Sequence, residues 1–156
     1  MELIIQKAVE LGVHEVIPMA TKRCVVKLDE KKAVSKINRW QGIAEAAAKQ
    51  SKRGVIPQVH SVMNMKEAVA YAGEMEVRLI PYELAEDMAH TKQLIEQVKP
   101  GQKVAIFIGP EGGFEEAEVQ MALEAGIEPI TLGRRILRTE TAGFTILSWL
   151  MYHLEQ

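Results

Sequence analysis

Two apolar segments near the end of this 156-residue chain each run into a glycine-marked turn and then into a helical pattern. The first is Val104-Ala105-Ile106-Phe107-Ile108, followed by Gly109-Pro110-Glu111-Gly112-Gly113-Phe114. The second is Pro129-Ile130-Thr131-Leu132, followed by Gly133-Arg134-Arg135-Ile136-Leu137-Arg138-Thr139-Glu140-Thr141-Ala142. An unbroken apolar run reads as a strand covered on both faces. Strand–turn–helix units repeated along a chain predict an α/β protein with a mostly parallel sheet flanked by helices. Ligands of such sheets bind beyond the carboxyl ends of the strands. The two loops lie about twenty residues apart and predict one pocket made by neighbouring strands.

The rest of the chain repeats the alternation. Leu3, Ile4, Ala8 and Leu11 recur at helical spacing and stop at Gly12. Val13 to Met19 reads as a short strand, which Val25-Val26 either extend or follow as a loop. Asp29 opens a long helix whose apolar stripe is Ala33, Ile37, Trp40, Ala44 and Ala47-Ala48, ended by Gly54 and Pro57. Val55 to Val59 is strand-like, and Asn64 caps a helix from Met65 to Ala72. Val77 to Pro81 is a strand, Glu83 to His90 a polar loop, and Thr91 to Val98 a helix stopped by Pro100-Gly101. Helices at Glu115–Glu124 and about Glu140–His153 follow the two glycine loops. The final helix has a core stripe of Gly143, Ile146, Leu147, Leu150, Met151 and Leu154. A second stripe, Thr145, Trp149 and Tyr152, serves either the same core or another subunit. Nothing divides the chain, so residues 1–156 are expected to form one domain.

Net charge is only -2, but it is unevenly placed. Residues 22–53 hold ten Lys or Arg against three acids, and the remainder holds nine against eighteen. Such asymmetry is either an electrostatic footprint for phosphate or a solvated, Lys-rich helix face. One cysteine, Cys24, excludes an internal disulfide and fits a reducing compartment, so the chain is read as cytoplasmic. No apolar run reaches the length of a membrane span. His14, His60, His90 and His153 share no metal-ligand spacing with Cys24, and no metal is expected.

The two loops differ in chemistry. Glycines at 109, 112 and 113 let a backbone approach a ligand closely. Glu115, Glu116 and Glu118 then fill the first turn of the next helix, where they repel an anionic ligand. The loop is neither a dinucleotide nor a P-loop fingerprint, so a neutral or cationic ligand fits it better. A plain tight turn remains open. The second loop carries Arg134, Arg135 and Arg138, forked donors suited to phosphate or a planar base. Glu140 there can pair with an arginine, accept a hydrogen bond or act as a base. An ion-paired helix start capped by Thr139 is the competing reading.

At these loops the sequence resembles a known family. IGPEGGF followed by LGRRILRTETA is similar to the signature of the small-subunit (16S) ribosomal RNA uridine N3-methyltransferases, of the SPOUT superfamily of knotted methyltransferases. Further matches are Ile5-Gln6-Lys7-Ala8 with Glu10-Leu11-Gly12-Val13, Thr21-Lys22-Arg23, and Arg39-Trp40 with Ala46-Ala47 and Gln50-Ser51-Lys52-Arg53. The resemblance implies a trefoil knot in the C-terminal part, a homodimer, and S-adenosylmethionine held by backbone groups of the knot loops. Carried onto this chain, the cofactor residues are Leu79, Ile80 and Pro81; Ile108, Gly109, Pro110, Glu111, Gly112 and Gly113; and Leu132, Gly133, Ile136, Leu137, Thr141 and Ala142. The implied reaction is methylation of uridine N3 in 16S rRNA of the small ribosomal subunit. Glu140 is then the candidate base, and Arg138 the candidate stabiliser of charge on the uracil oxygens, or Glu140 only orients Arg138. Lys22, Arg23, Gln50 and Arg53 are the expected RNA contacts. Members of the family also carry a first strand and an N-terminal PUA-like barrel, which this sequence is read as lacking. The alternative is a non-catalytic α/β module that binds RNA or a small ligand.

Overall fold

The computed structural model describes residues 1–24, 30–85 and 87–155. Val25, Val26 and Asp29, read above as strand extension and helix opener, lie outside the described residues. The chain begins with helix α1 (Glu2–Glu10), which closes as expected at Gly12, whose φ is +92°. The next apolar segment splits into two short strands, β1 (Glu15–Val16) and β2 (Met19–Ala20). Pro18 stands between them, and a proline cannot donate to a ladder. Helix α2 (Glu30–Gln50) buries Trp40, Ala44, Ala47 and Ala48, the stripe read from its periodicity. Its end departs from expectation. Lys52, not Gly54, takes the left-handed conformation, at φ 58°. The Ser51 hydroxyl donates back to the Ala47 carbonyl at 2.7 Å.

Strands β3 (Gln58–Val59) and β4 (Met63–Asn64) pair in parallel with β1 and β2 respectively. Asn64 then caps helix α3 (Met65–Ala72) by accepting from the Glu67 amide at 3.0 Å, while Glu67 accepts from the Asn64 amide.

The C-terminal half is built on a three-stranded parallel sheet. Its strands are β5 (Val77–Pro81), β6 (Val104–Ile106) and β7 (Glu128–Ile130), in the order β6-β5-β7. Around it lie α4 (Met88–Glu96), α5 (Glu116–Glu124) and α6 (Thr139–Leu154). The α4 helix starts three residues earlier than its periodicity suggests. The Asp87 carboxylate accepts from the Ala89 and His90 amides, so the polar stretch expected to be loop enters the first helical turn. Strand β7 begins and ends earlier than expected. The Thr131 amide turns away from the sheet and donates to Thr91 Oγ1 at 3.0 Å.

The apolar run at β6 is covered on both faces, as its composition implied. Ala105 and Phe107 pack with Ile80, Ala68 and Ile127; Val104, Ile106 and Ile108 pack on the other side with Leu79, Ile95 and Ile146. A separate core of Ile5, Val9, Trp40, Ala44 and Val59 joins α1, α2 and β3. Helix α1 also touches α6, which links the two halves.

Candidate active site

Because β5, β6 and β7 run in parallel, their carboxyl ends share one edge of the sheet. Three loops leave that edge: one from residue 82 after β5, one over 107–115 after β6 and one over 131–138 after β7. The two glycine loops do not belong to neighbouring strands, contrary to the sequence expectation. Strand β5 lies between their parent strands and adds its own end, Leu79–Pro81, to the middle of the site. A right-handed crossover chain can return to either side of a central strand, and local sequence does not encode which.

The two signature loops meet directly. The Thr139 hydroxyl donates to the Gly109 carbonyl at 3.0 Å. Gly143, one turn along α6, lies so close that a Cβ there would sit 3.9 Å from Ile108. Thr139 is therefore not the cap of α6. Arg138 holds that position and uses no side-chain cap bond. Gly109 is confined by its own loop, since a Cβ would stand 3.2 Å from both the amide and the ring of Phe114. Gly113 and Gly133 have φ of +69° and +108°, a region that L side chains avoid.

Of the cofactor positions carried over, Leu79 and Ile80 are wholly buried. Pro81 is paired with Ile130 and is half-buried, as are Ile108, Gly109, Pro110, Leu132, Leu137 and Ala142. Glu111, Gly112, Gly113, Gly133 and Thr141 are exposed. Ile136 projects furthest, at 91% exposure. Arg134, Arg135 and Arg138 are exposed beside it, and Glu140 is half-buried in the first turn of α6. None of these four charged side chains has a hydrogen bond or ion pair among the described residues.

The expected RNA contacts separate. Lys22 and Arg23 are exposed next to the Gly109–Gly113 loop, and Arg23 Nη1 donates to the Gly112 carbonyl at 2.8 Å. Arg23 also borders an open cleft of about 580 Å³ with Glu115, Glu116 and Gln120. Gln50 lies elsewhere, in a groove of about 590 Å³ between α1 and α2, with Lys7, Glu10 and Ile43. Arg53 is turned inward. Its guanidinium donates to the carbonyls of Val13 at 2.6 Å, Val9 at 3.1 Å and Gly12 at 3.4 Å. These carbonyls lie at and just past the C-terminus of α1, where a cation belongs, and that of Val9 also accepts from the Gly12 amide at 3.2 Å.

Two residues have roles here that sequence reasoning missed. Thr139, read as a cap, joins the two loops through its hydroxyl. Glu118, read as a first-turn acid, is 7% exposed and accepts from the Glu115 amide at 2.9 Å and the Lys22 amide at 3.0 Å. The Glu115-to-Glu118 spacing at a helix start was its only signal. Among the described residues no cluster of His, Cys, Asp or Glu could hold a metal ion. No helix among them is long and apolar enough to cross a membrane.

Comparison with known proteins points the same way. The family model described as RNA methyltransferase domain matches residues 1–151. Ribosomal RNA small subunit methyltransferase E of Bacillus subtilis is 39% identical over 99% of this chain and 62% of its own length. The protein of the same name from Mesomycoplasma hyopneumoniae is 41% identical over 94% of this chain and 62% of its own length. The chain thus spans about three-fifths of these relatives. Two solved structures containing S-adenosylmethionine superpose well. A Legionella pneumophila methyltransferase has a TM-score of 0.89 and 36% identity, over 97% of this chain and 60% of that one. Methyltransferase E of Neisseria gonorrhoeae has a TM-score of 0.82 and 33% identity, over 99% of this chain and 61% of that one. With its three-loop edge and a family match over nearly its whole length, the chain belongs to the RNA methyltransferase domain family.

Proposed function

We propose that this chain is the catalytic part of an enzyme that methylates N3 of a uridine in 16S rRNA of the small ribosomal subunit, using S-adenosylmethionine. The observation that carries this reading is the junction of the two signature loops, Thr139 on Gly109, at the carboxyl edge of a parallel sheet. The names of the relatives support the substrate class, and the two cofactor-bound structures support the methyl donor.

The loops fit that donor. The exposed loops at Glu111–Gly113 and Gly133 let a bent ligand approach the backbone closely. The acids at the start of α5 disfavour phosphate and tolerate a sulfonium. When bound, S-adenosylmethionine supplies an electrophilic methyl group. The side chains of this domain then have three tasks. Glu140 accepts the N3 proton that uracil carries at neutral pH. Arg138, exposed at the head of α6, faces the charge that develops on the uracil oxygens. Lys22 and Arg23, with Arg134 and Arg135, hold RNA phosphates and position the base.

Two further parts belong to this reading. The C-terminal segment forms a trefoil knot, supported by the superfamily resemblance and by the contact of α6 with Ile108 and Gly109. The enzyme is a homodimer, supported by exposed Ile136 at 91% and Tyr152 at 76% near the same end of the sequence. Trp149 of the second α6 stripe instead packs partly on the core. An enzyme that modifies small-subunit rRNA acts in the cytoplasm in this reading.

The test uses labelled S-adenosylmethionine and small subunits from cells lacking the modification, with mass spectrometry for N3-methyluridine. The expected result is label at one uridine. Glu140→Gln should still bind the donor but turn over at least about a hundredfold more slowly. Unchanged turnover would remove Glu140 as the base. Donor binding without label in any rRNA would sink the proposed activity.

A further inference from the structure

The basic segment and the first glycine loop are fastened together by a buried acid. Glu118 divides its carboxylate between them: Oε2 takes the Glu115 amide, two residues past Gly113, and Oε1 takes the Lys22 amide. Capping α5 needs only one of these oxygens. The second bond spans 96 positions of sequence. Beside it, Arg23 Nη1 holds the Gly112 carbonyl. A Cβ on Gly112 would lie 3.4 Å from Arg23 Cβ, so the loop runs flush against the arginine stem. Lys22 is exposed, and the remaining guanidinium donors of Arg23 make no bond among the described residues. A move of the loop therefore moves the backbone and side chains that face outward at 22 and 23.

We infer that Glu118 is a positioning residue that couples occupancy of the Gly109–Gly113 loop to RNA binding at Lys22 and Arg23. The inference rests on the proposed function for what the two pieces bind. A ligand that sets the Gly112 carbonyl orients Arg23 for phosphate, and phosphate on Arg23 holds the loop in return. Linkage requires the effect to be equal in both directions.

Glu118→Gln separates this role from capping. Glutamine keeps one acceptor oxygen, and a capping box accepts it. The local bond to Glu115 survives, and an amide NH₂ replaces the acceptor that faced Lys22. S-adenosylmethionine affinity is measured by calorimetry with and without a uridine 20-mer RNA. Hydrogen exchange is followed at Lys22, Gly112 and Gly113, with Val119 and Ala122 as controls. In the unsubstituted protein the RNA should tighten cofactor binding about fivefold or more. Cofactor should also slow exchange at Lys22. In Glu118→Gln both effects should fall at least severalfold, to what the Arg23–Gly112 bond alone transmits, while Val119 and Ala122 stay protected. If that variant fails to fold, Arg23→Ala, at an exposed position, should abolish the RNA-induced slowing at Gly112 and Gly113. Normal cofactor heat with no coupling in the unsubstituted protein, or with equal coupling in the variant, would overturn this role alone. No cofactor heat at all would overturn the methyl-donor reading and this role with it.

Discussion

Replacing Arg53 with alanine tests whether a basic residue in the Lys/Arg-rich stretch serves the fold or the RNA. Its guanidinium makes two bonds at 3.1 Å or less to Val9 and Val13, and a longer one to Gly12. A hydrogen bond from a charged donor contributes about 1.5–3 kcal/mol, and a cation at a helix C-terminus about 0.3–1 kcal/mol more. After truncation water can reach the exposed Gly12 end, and the buried Val9 carbonyl keeps its bond from the Gly12 amide at 3.2 Å. Partial rehydration therefore reduces the loss to about 2–3 kcal/mol. For a domain of this size that lowers Tm by about 4–12 °C. Urea unfolding followed by Trp40 and Trp149 fluorescence measures it, with an unchanged slope against denaturant expected. Arg53→Lys keeps the charge but not the fork, and should recover about half the loss. The salt dependence of RNA binding should not change. A stability loss below about 0.5 kcal/mol, together with a salt slope reduced by about 0.9, would mean the guanidinium meets phosphate instead.

Three other outcomes follow from the same geometry. Thr139→Val removes the bond to Gly109 and should cost about 1 kcal/mol, with weaker S-adenosylmethionine binding by calorimetry, whereas Thr139→Ser should restore both. Equal cofactor affinity in the two variants would show that this junction does not shape the loop. The double change Arg134→Ala, Arg135→Ala should lower the slope of log K against log salt for RNA by up to about 1.8 and leave Tm unmoved, because neither side chain has a partner among the described residues. Tyr71 donates to Glu15, beside His60, and its phenol pKa is raised from 10.0, first by desolvation and then by the Glu15 hydrogen bond and charge. The folded state thus holds the proton longer than the unfolded chain. That stabilisation is complete below the unfolded pKa and disappears as pH rises through the folded value. The Tm advantage of the unsubstituted protein over Tyr71→Phe should therefore shrink above about pH 10, and a constant difference would refute it.

Much of the fold was legible in order along the chain. The stop at Gly12, the Asn64 cap and the stripe of α2 are local signals, written within one or two turns of the residues they govern. Errors gathered where a long-range partner overruled the local preference. Thr131 leaves its strand because Thr91, forty positions away, accepts its amide. Asp87 lengthens α4 from within a polar stretch that carries no apolar period.

The same division holds at the site. By itself the sequence determined that this is a parallel α/β domain of a methyltransferase family, with two glycine-marked loops that carry no phosphate fingerprint. Composition, period and motif are properties of consecutive residues, so a single chain states them. Only the tertiary structure decided that β5 separates the two loop-bearing strands, that Thr139 joins them, that Arg53 faces α1, and that Glu118 binds the basic segment to the first loop. Each of those rests on a hydrogen bond or strand pairing between residues 27 to 96 positions apart. Such a bond is chosen by competition among all the donors and acceptors that folding brings together, and no local pattern records the winner.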